Sequence, residues 1–179
     1  YARKGRFRFR YVKDSYERNL AETRQDWFAS SQAYFIKMEA IQVVRVHTSG
    51  DFYSSAYVNV WLDIANRSKD TVFYAYTRSW RDPEILAALR KLSLLDNFVL
   101  WYSCDRETGE PPRDPGVRFA WMAENDEDVP TFPVDMVFRN TRTSTMKRIG
   151  GYPVCLYEQQ SKNDSSRVTC SMCKKCWRR

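Results

Sequence analysis

Apolar positions along this chain fall into short dense runs separated by polar, turn-rich connections. IQVVRVH (41–47), TVFYAYT (71–77), NFVLWYS (97–103), VRFAWMA (117–123) and PVDMVFR (133–139) are near-continuous apolar and β-branched stretches. Runs of this length without strict alternation predict strands buried on both faces, as in a parallel sheet. Between the first two lies AYVNVWLDIANR, where Tyr57, Val60, Trp61 and Ile64 share one helical face at i, i+3, i+4, i+7. Between the next two, Asp82-Pro83 supplies an N-cap and a first helical residue, and Ile85, Leu86, Leu89 and Leu92 supply an apolar stripe. Residues 14–38 hold no Pro or Gly and predict one helix, with Asp14 as N-cap and Glu17 completing a capping box. Ahead of it, Phe7, Phe9 and Tyr11 alternate with Arg6, Arg8 and Arg10, the period of a strand with one aromatic and one basic face.

Strand–helix–strand–helix–strand at this spacing predicts a parallel α/β sheet. Beyond residue 104 the links are short and rich in Pro, Gly and Asp, as in GEPPRDPG (109–116), so they cannot carry full helices. The expected fold is therefore a partial (βα) barrel or an open, mostly parallel sheet, with an N-terminal helix and a C-terminal cysteine-rich metal-binding tail. With 179 residues, a single α/β domain spanning 1–179 is expected, carrying 150–179 as a cysteine-rich extension.

In such a sheet, ligands gather at the C-terminal ends of the strands. Those ends carry His47, Ser49, Gly50 and Asp51 after the first strand, Thr77 and Arg78 after the second, and Ser103 and Asp105 after the third. His47 and Asp51 are the candidate catalytic pair, and Ser49, Gly50, Thr77, Arg78, Ser103 and Asp105 the candidate cofactor-binding set. Structural readings stand beside these: a lone histidine can simply brace a turn, and Gly50-Asp51 suits a tight turn by itself. His47 is the only histidine, which excludes a multi-histidine metal site. Neither a P-loop nor a dinucleotide glycine pattern occurs, and no nucleophile elbow is present.

Composition narrows the classes further. No apolar run reaches the roughly 20 residues of a membrane helix, and no secretory leader opens the sequence, so a cytoplasmic protein with no membrane partner is expected. The chain opens on Tyr1 rather than methionine, which is read as an upstream segment processed, removed or left out. Net charge is +7, concentrated in Arg6, Arg8 and Arg10 near the start and in Lys174 and Lys175 near the end. Clusters of this kind attract phosphate backbones, so DNA or RNA is a candidate partner, set against the plainer reading of a solvated basic face.

The five cysteines carry the most specific chemistry. Cys155, Cys170, Cys173 and Cys176 have the spacing C-x14-C-x2-C-x2-C, while Cys104 stands apart at a strand end. Neighbours in C-x2-C-x2-C cannot all pair as disulfides, and nothing points to export. Four thiolates can close a tetrahedral zinc site, although zinc sites more often present two separate C-x2-C knuckles. One loop bearing three cysteines with a remote fourth is the ferredoxin-like way to wrap a [4Fe–4S] cluster. The leading expectation is a [4Fe–4S] protein; the alternative is a nucleic-acid-binding protein with a structural zinc site and no catalysis.

HTSGDFYSSAYVNVWLDIA, FYAYTRSW, LWYSCDRETGEPP and the closing CxxCxxCW resemble the phage and plasmid family called gene product 88, over nearly the whole chain. The resemblance implies a phage or mobile-element protein, with a further cysteine box just upstream of Tyr1-Ala2-Arg3. The layout is similar, more distantly, to phage radical S-adenosylmethionine proteins. Those have a partial barrel with a Gly-Asp step, which Gly50-Asp51 matches. That similarity implies an S-adenosylmethionine pocket lined by Thr77, Arg78 and Ser103. The catalytic cluster would be held by an N-terminal cysteine box that this sequence does not contain. If the chain is an enzyme, the implied class is radical S-adenosylmethionine-like.

Overall fold

The computed structural model describes residues 9–140, 144–160 and 168–178. Two helices open it, α1 (Arg10–Glu22) and α2 (Phe28–Met38). Then follow β1 (Val43–Val46), α3 (Ser55–Arg67), β2 (Val72–Thr77), α4 (Pro83–Ser93) and β3 (Phe98–Cys104). Loops lead on to β4 (Arg118–Ala123) and β5 (Met136–Arg139), then a small antiparallel pair, β6 (Arg148–Ile149) and β7 (Tyr152–Pro153). A single turn of helix, α5 (Cys170–Cys173), carries the first cysteines of the tail.

β1 to β5 are all parallel and lie in the order β1-β2-β3-β4-β5, forming a half-barrel. Each strand pairs with its predecessor, so successive connections of one hand place their helices on the same face. That face holds the main core. Phe73, Ala75, Phe98, Leu100, Tyr102, Phe119, Trp121 and Val137 of the sheet meet Tyr57, Val58, Ile64, Leu89 and Leu92 of the helices. Leu89, Leu92, Phe73 and Phe98 are fully buried, each contributing about 1.5–3 kcal/mol of burial. The short loops between β3, β4 and β5 carry no helix, as their composition predicts.

α4 starts where the sequence places it: the Asp82 carboxylate accepts hydrogen bonds from the amides of Glu84 (2.9 Å) and Ile85 (3.1 Å). The N-terminal expectations need correction. The single helix over 14–38 is two helices, because Thr23 donates to the Leu20 carbonyl (2.7 Å) and its hydroxyl meets that of Tyr53 (2.7 Å), turning the chain. Asp14 is not an N-cap; the helix begins at Arg10 after Phe9 with no side-chain cap. Arg10 and Tyr11 are therefore helical, so the alternating strand does not form there. Arg6 and Arg8 lie outside the described residues.

The second face of the sheet carries no helix. Alternation places Tyr74, Tyr76, Val99, Trp101, Ala120, Met136 and Phe138 there, packed with Cys155, Cys176 and Trp177. The C-terminal tail does the work of the missing layer, since a parallel sheet needs cover on both faces.

Candidate metal centre

Main-chain and aromatic contacts hold the tail on the sheet. The Trp101 indole donates from Nε1 to the carbonyl of Cys176 at 2.8 Å. Arg118, whose guanidinium lies over the Trp101 ring at 5.3 Å, donates to the carbonyls of Lys175 (3.0 Å) and Arg178 (2.7 Å). Trp177 packs against Tyr74 with ring centroids 5.2 Å apart. The α5 turn is capped by Thr169, whose hydroxyl accepts from the Met172 amide at 3.4 Å. It ends at Lys174 in the left-handed conformation, φ 58°. That reversal carries the chain from Cys173 to Cys176.

Cys155 arrives from the opposite direction. Val154 bridges to Val137, and the Cys155 amide donates to the Val137 carbonyl at 2.9 Å, so this cysteine is tied to the edge strand β5. The next residues, Leu156–Glu158, form a tight 3-10 turn whose Tyr157 and Glu158 amides face the Cys155 sulfur. Behind that turn stands Arg139, with no side-chain exposure. It donates from Nε to Asp126 (2.7 Å), and from its other nitrogens to the carbonyls of Met146 (2.8 Å) and Glu158 (3.3 Å).

These two arrivals bring Cys155, Cys170, Cys173 and Cys176 to the wall of one small cavity, together with Met136, Leu156, Tyr157, Thr169, Lys174 and Lys175. Among the described residues, no group of three or more His, Cys, Asp or Glu side chains is arranged to hold a metal ion. The two observations concern objects of different size. A single zinc needs every sulfur about 2.3 Å from one point, whereas sulfurs distributed over a cavity wall stand farther apart. Burial pushes the Cys155 thiol up to about 12, with Glu158 adding to the shift, and raises Cys176 as well. Cys170 is exposed, while Cys155, Cys173 and Cys176 are half-buried. Cys104 belongs elsewhere: it is buried on the helix side of the sheet, with Sγ 3.4 Å from the Ala120 carbonyl.

The strand-end residues also meet, but chiefly through one another. The Asp51 carboxylate accepts from the Phe52 amide (2.7 Å), the Thr77 hydroxyl (2.6 Å) and the Arg78 amide (2.7 Å). Thr77 is 1% exposed, and its oxygen also accepts from the Ser79 amide at 3.0 Å. Arg78 pairs with Asp105 at 2.6 Å, and the Ser103 carbonyl accepts from the Trp80 indole at 3.0 Å. Asp51, Thr77, Arg78 and Asp105 thus stitch the exits of β1, β2 and β3 together. Gly50 makes the turn into Asp51 with φ 91°, a conformation that favours glycine, and Ser49 beside it is half-buried. His47 ends β1 with φ 65°; its Nε2 lies 3.1 Å from the Tyr57 hydroxyl and its buried Nδ1 has no partner among the described residues. Desolvation lowers the His47 pKa, offset in part by the Asp51 carboxylate.

A model of the family described as gene product 88 matches residues 1–179. The chain belongs to that family. The "Gene 88 protein" of Mycobacterium phage L5 is 32% identical over 89 residues, covering 48% of this chain and 36% of the phage protein. The protein of the same name from Mycobacterium phage D29 is 30% identical over 102 residues, covering 53% of this chain and 41% of its own. The matched stretches thus span well under half the length of these relatives. No solved structure matches the chain. Gene product 88 membership makes this a phage-type protein and leaves its chemistry to be argued from the site.

Sequence reading missed the groups that hold the gene product 88 tail. Trp101, Arg118, Tyr74 and Tyr76 lie on the second sheet face, and in continuous apolar strands nothing marks which face is covered by what. Lys174 and Lys175, read as nucleic-acid contacts, are exposed at the cavity rim, and Arg10 is an exposed helix residue. Among the described residues, no helix is long and apolar enough to cross a membrane.

Proposed function

We propose that this chain is an iron–sulfur protein in which Cys155, Cys170, Cys173 and Cys176 hold a [4Fe–4S] cluster against the second face of the half-barrel. The observation that carries this reading is the shared cavity: cysteines from two separate segments line it together. Three further features fit. The sulfurs surround a volume rather than converge on a point, which suits a cuboidal cluster better than one zinc ion. The Tyr157 and Glu158 amides face the Cys155 sulfur, as outer-shell donors to a ligated thiolate do. Lys174 and Lys175 on the cavity wall offset the negative charge that four thiolates bring.

When bound, such a cluster supplies one-electron transfer. The chain's own residues position it, exclude water from Cys155 and Cys176, and donate hydrogen bonds to its sulfurs. The reading assigns the cavity to the tail and no reaction to the strand ends, where Asp51, Thr77, Arg78 and Asp105 are engaged with one another.

The test is metal and acid-labile sulfide analysis of protein prepared without oxygen. About four irons and four sulfides per chain are expected, with broad brown absorption, and Cys155→Ala should abolish both. A colourless protein with one zinc per chain would overturn the reading in favour of a structural zinc site.

A further inference from the structure

Tyr76 presents a buried hydroxyl that the folded chain leaves unsatisfied. Its Oη is shielded from solvent and has no hydrogen-bond partner among the described residues. Aromatic neighbours fix the ring: Trp101 at 5.5 Å, Phe138 at 5.3 Å edge-on and Tyr74 at 6.3 Å. The Arg45 guanidinium lies 5.7 Å from its centroid. The hydroxyl therefore cannot swing out to water. A buried hydroxyl without a partner costs about 1–3 kcal/mol, a penalty that phenylalanine at the same place would not incur. Among the described neighbours, the group that interacts with this hydroxyl is the Cys176 sulfur, at the wall of the cysteine cavity. A neutral thiol is a weak acceptor, whereas a thiolate bound to iron is a strong one. Tyr76 has a poor partner in the unloaded protein and a good one in the loaded protein.

We propose that Tyr76 donates a hydrogen bond from its hydroxyl to the Cys176 sulfur of the loaded centre and so sets the centre's redox potential. This rests on the iron–sulfur reading above. The donor stabilises the more negatively charged, reduced state, so Tyr76 is a positioning residue that makes reduction easier. It also makes the centre asymmetric. The Cys176 side is dry and receives a phenol proton, while the Cys170 side is exposed to water.

Tyr76→Phe removes the donor and keeps the ring. Iron and sulfide content should match the unsubstituted protein, while the ratio of reduced to oxidised centre at a fixed applied potential falls about tenfold. An unchanged ratio with a retained cluster overturns the proposal. A second measurement needs no variant. The reduced, 15N-labelled protein should show an exchangeable, hyperfine-shifted proton with no 15N coupling, as an O–H donor requires. Its absence overturns the proposal even if Tyr76→Phe fails to load. Failure of the underlying reading looks different, because the unsubstituted protein itself would then bind no iron or sulfide.

Discussion

Arg139→Met should destabilise the protein by about 3 kcal/mol, and the structure sets that figure. The guanidinium has no exposure, while its partner Asp126 is 22% exposed. Breaking a buried pair by removing one member costs about 3–5 kcal/mol, and the partial exposure of Asp126 places this case at the low end. Methionine fills the space of the aliphatic stem but leaves the Asp126 carboxylate and the carbonyls of Met146 and Glu158 without their donors. For a chain of this length the loss corresponds to a melting temperature lower by about 6–12 °C. Thermal and urea unfolding, followed by circular dichroism, would measure it. Arg139→Lys should fall between, because an ammonium cannot reach three acceptors at once. The Glu158 turn carries Cys155, so the Met variant should also retain less iron than Arg139→Lys. A melting temperature within about 2 °C of the unsubstituted protein would refute the view that Arg139 is the strut behind Cys155.

Asp51→Asn should cost about 2 kcal/mol, because an amide NH2 would face the Arg78 amide that Oδ2 now accepts at 2.7 Å; chemical denaturation would show it, and a neutral result would mean the carboxylate is not the clasp between β1 and β2. His47 has its pKa lowered below the usual 6.5 by burial, so the folded state disfavours its proton. Its contribution to stability is full above pH 6.5 and declines as pH falls towards the folded-state pKa. The stability advantage of the unsubstituted protein over His47→Gln should therefore shrink between about pH 7 and pH 5; an advantage that grew on acidification would reverse the assignment.

Much of the fold was legible because buried parallel strands are nearly pure apolar runs. All five appeared within a few residues of their observed bounds, and Asp82-Pro83 located the start of α4 by local chemistry alone. The N-terminal helices were less legible. Nothing between Glu22 and Phe28 breaks a helix locally; the turn depends on Thr23 meeting Tyr53, thirty residues away in sequence. The arginine–aromatic alternation at Phe9–Tyr11 suggested a strand, but the described residues continue a helix, so local period lost to helix propagation. The cysteines announced a site by spacing, and Cys155 is indeed joined to the sheet edge. Tyr76 was invisible in the sequence as anything but an apolar strand residue, because its meaning depends on which face the tail covers.

The order of synthesis gives the covering tail a further significance. A ribosome makes β1 to β5 in the order in which they pair, so the half-barrel can assemble strand by strand as it emerges. Trp177 and the carbonyls that Arg118 and Trp101 hold are among the last groups made. Tyr74, Tyr76 and Trp101 must therefore wait, bare, until the chain is released. A nascent or prematurely terminated copy carries an open aromatic trough, and the last few residues close it.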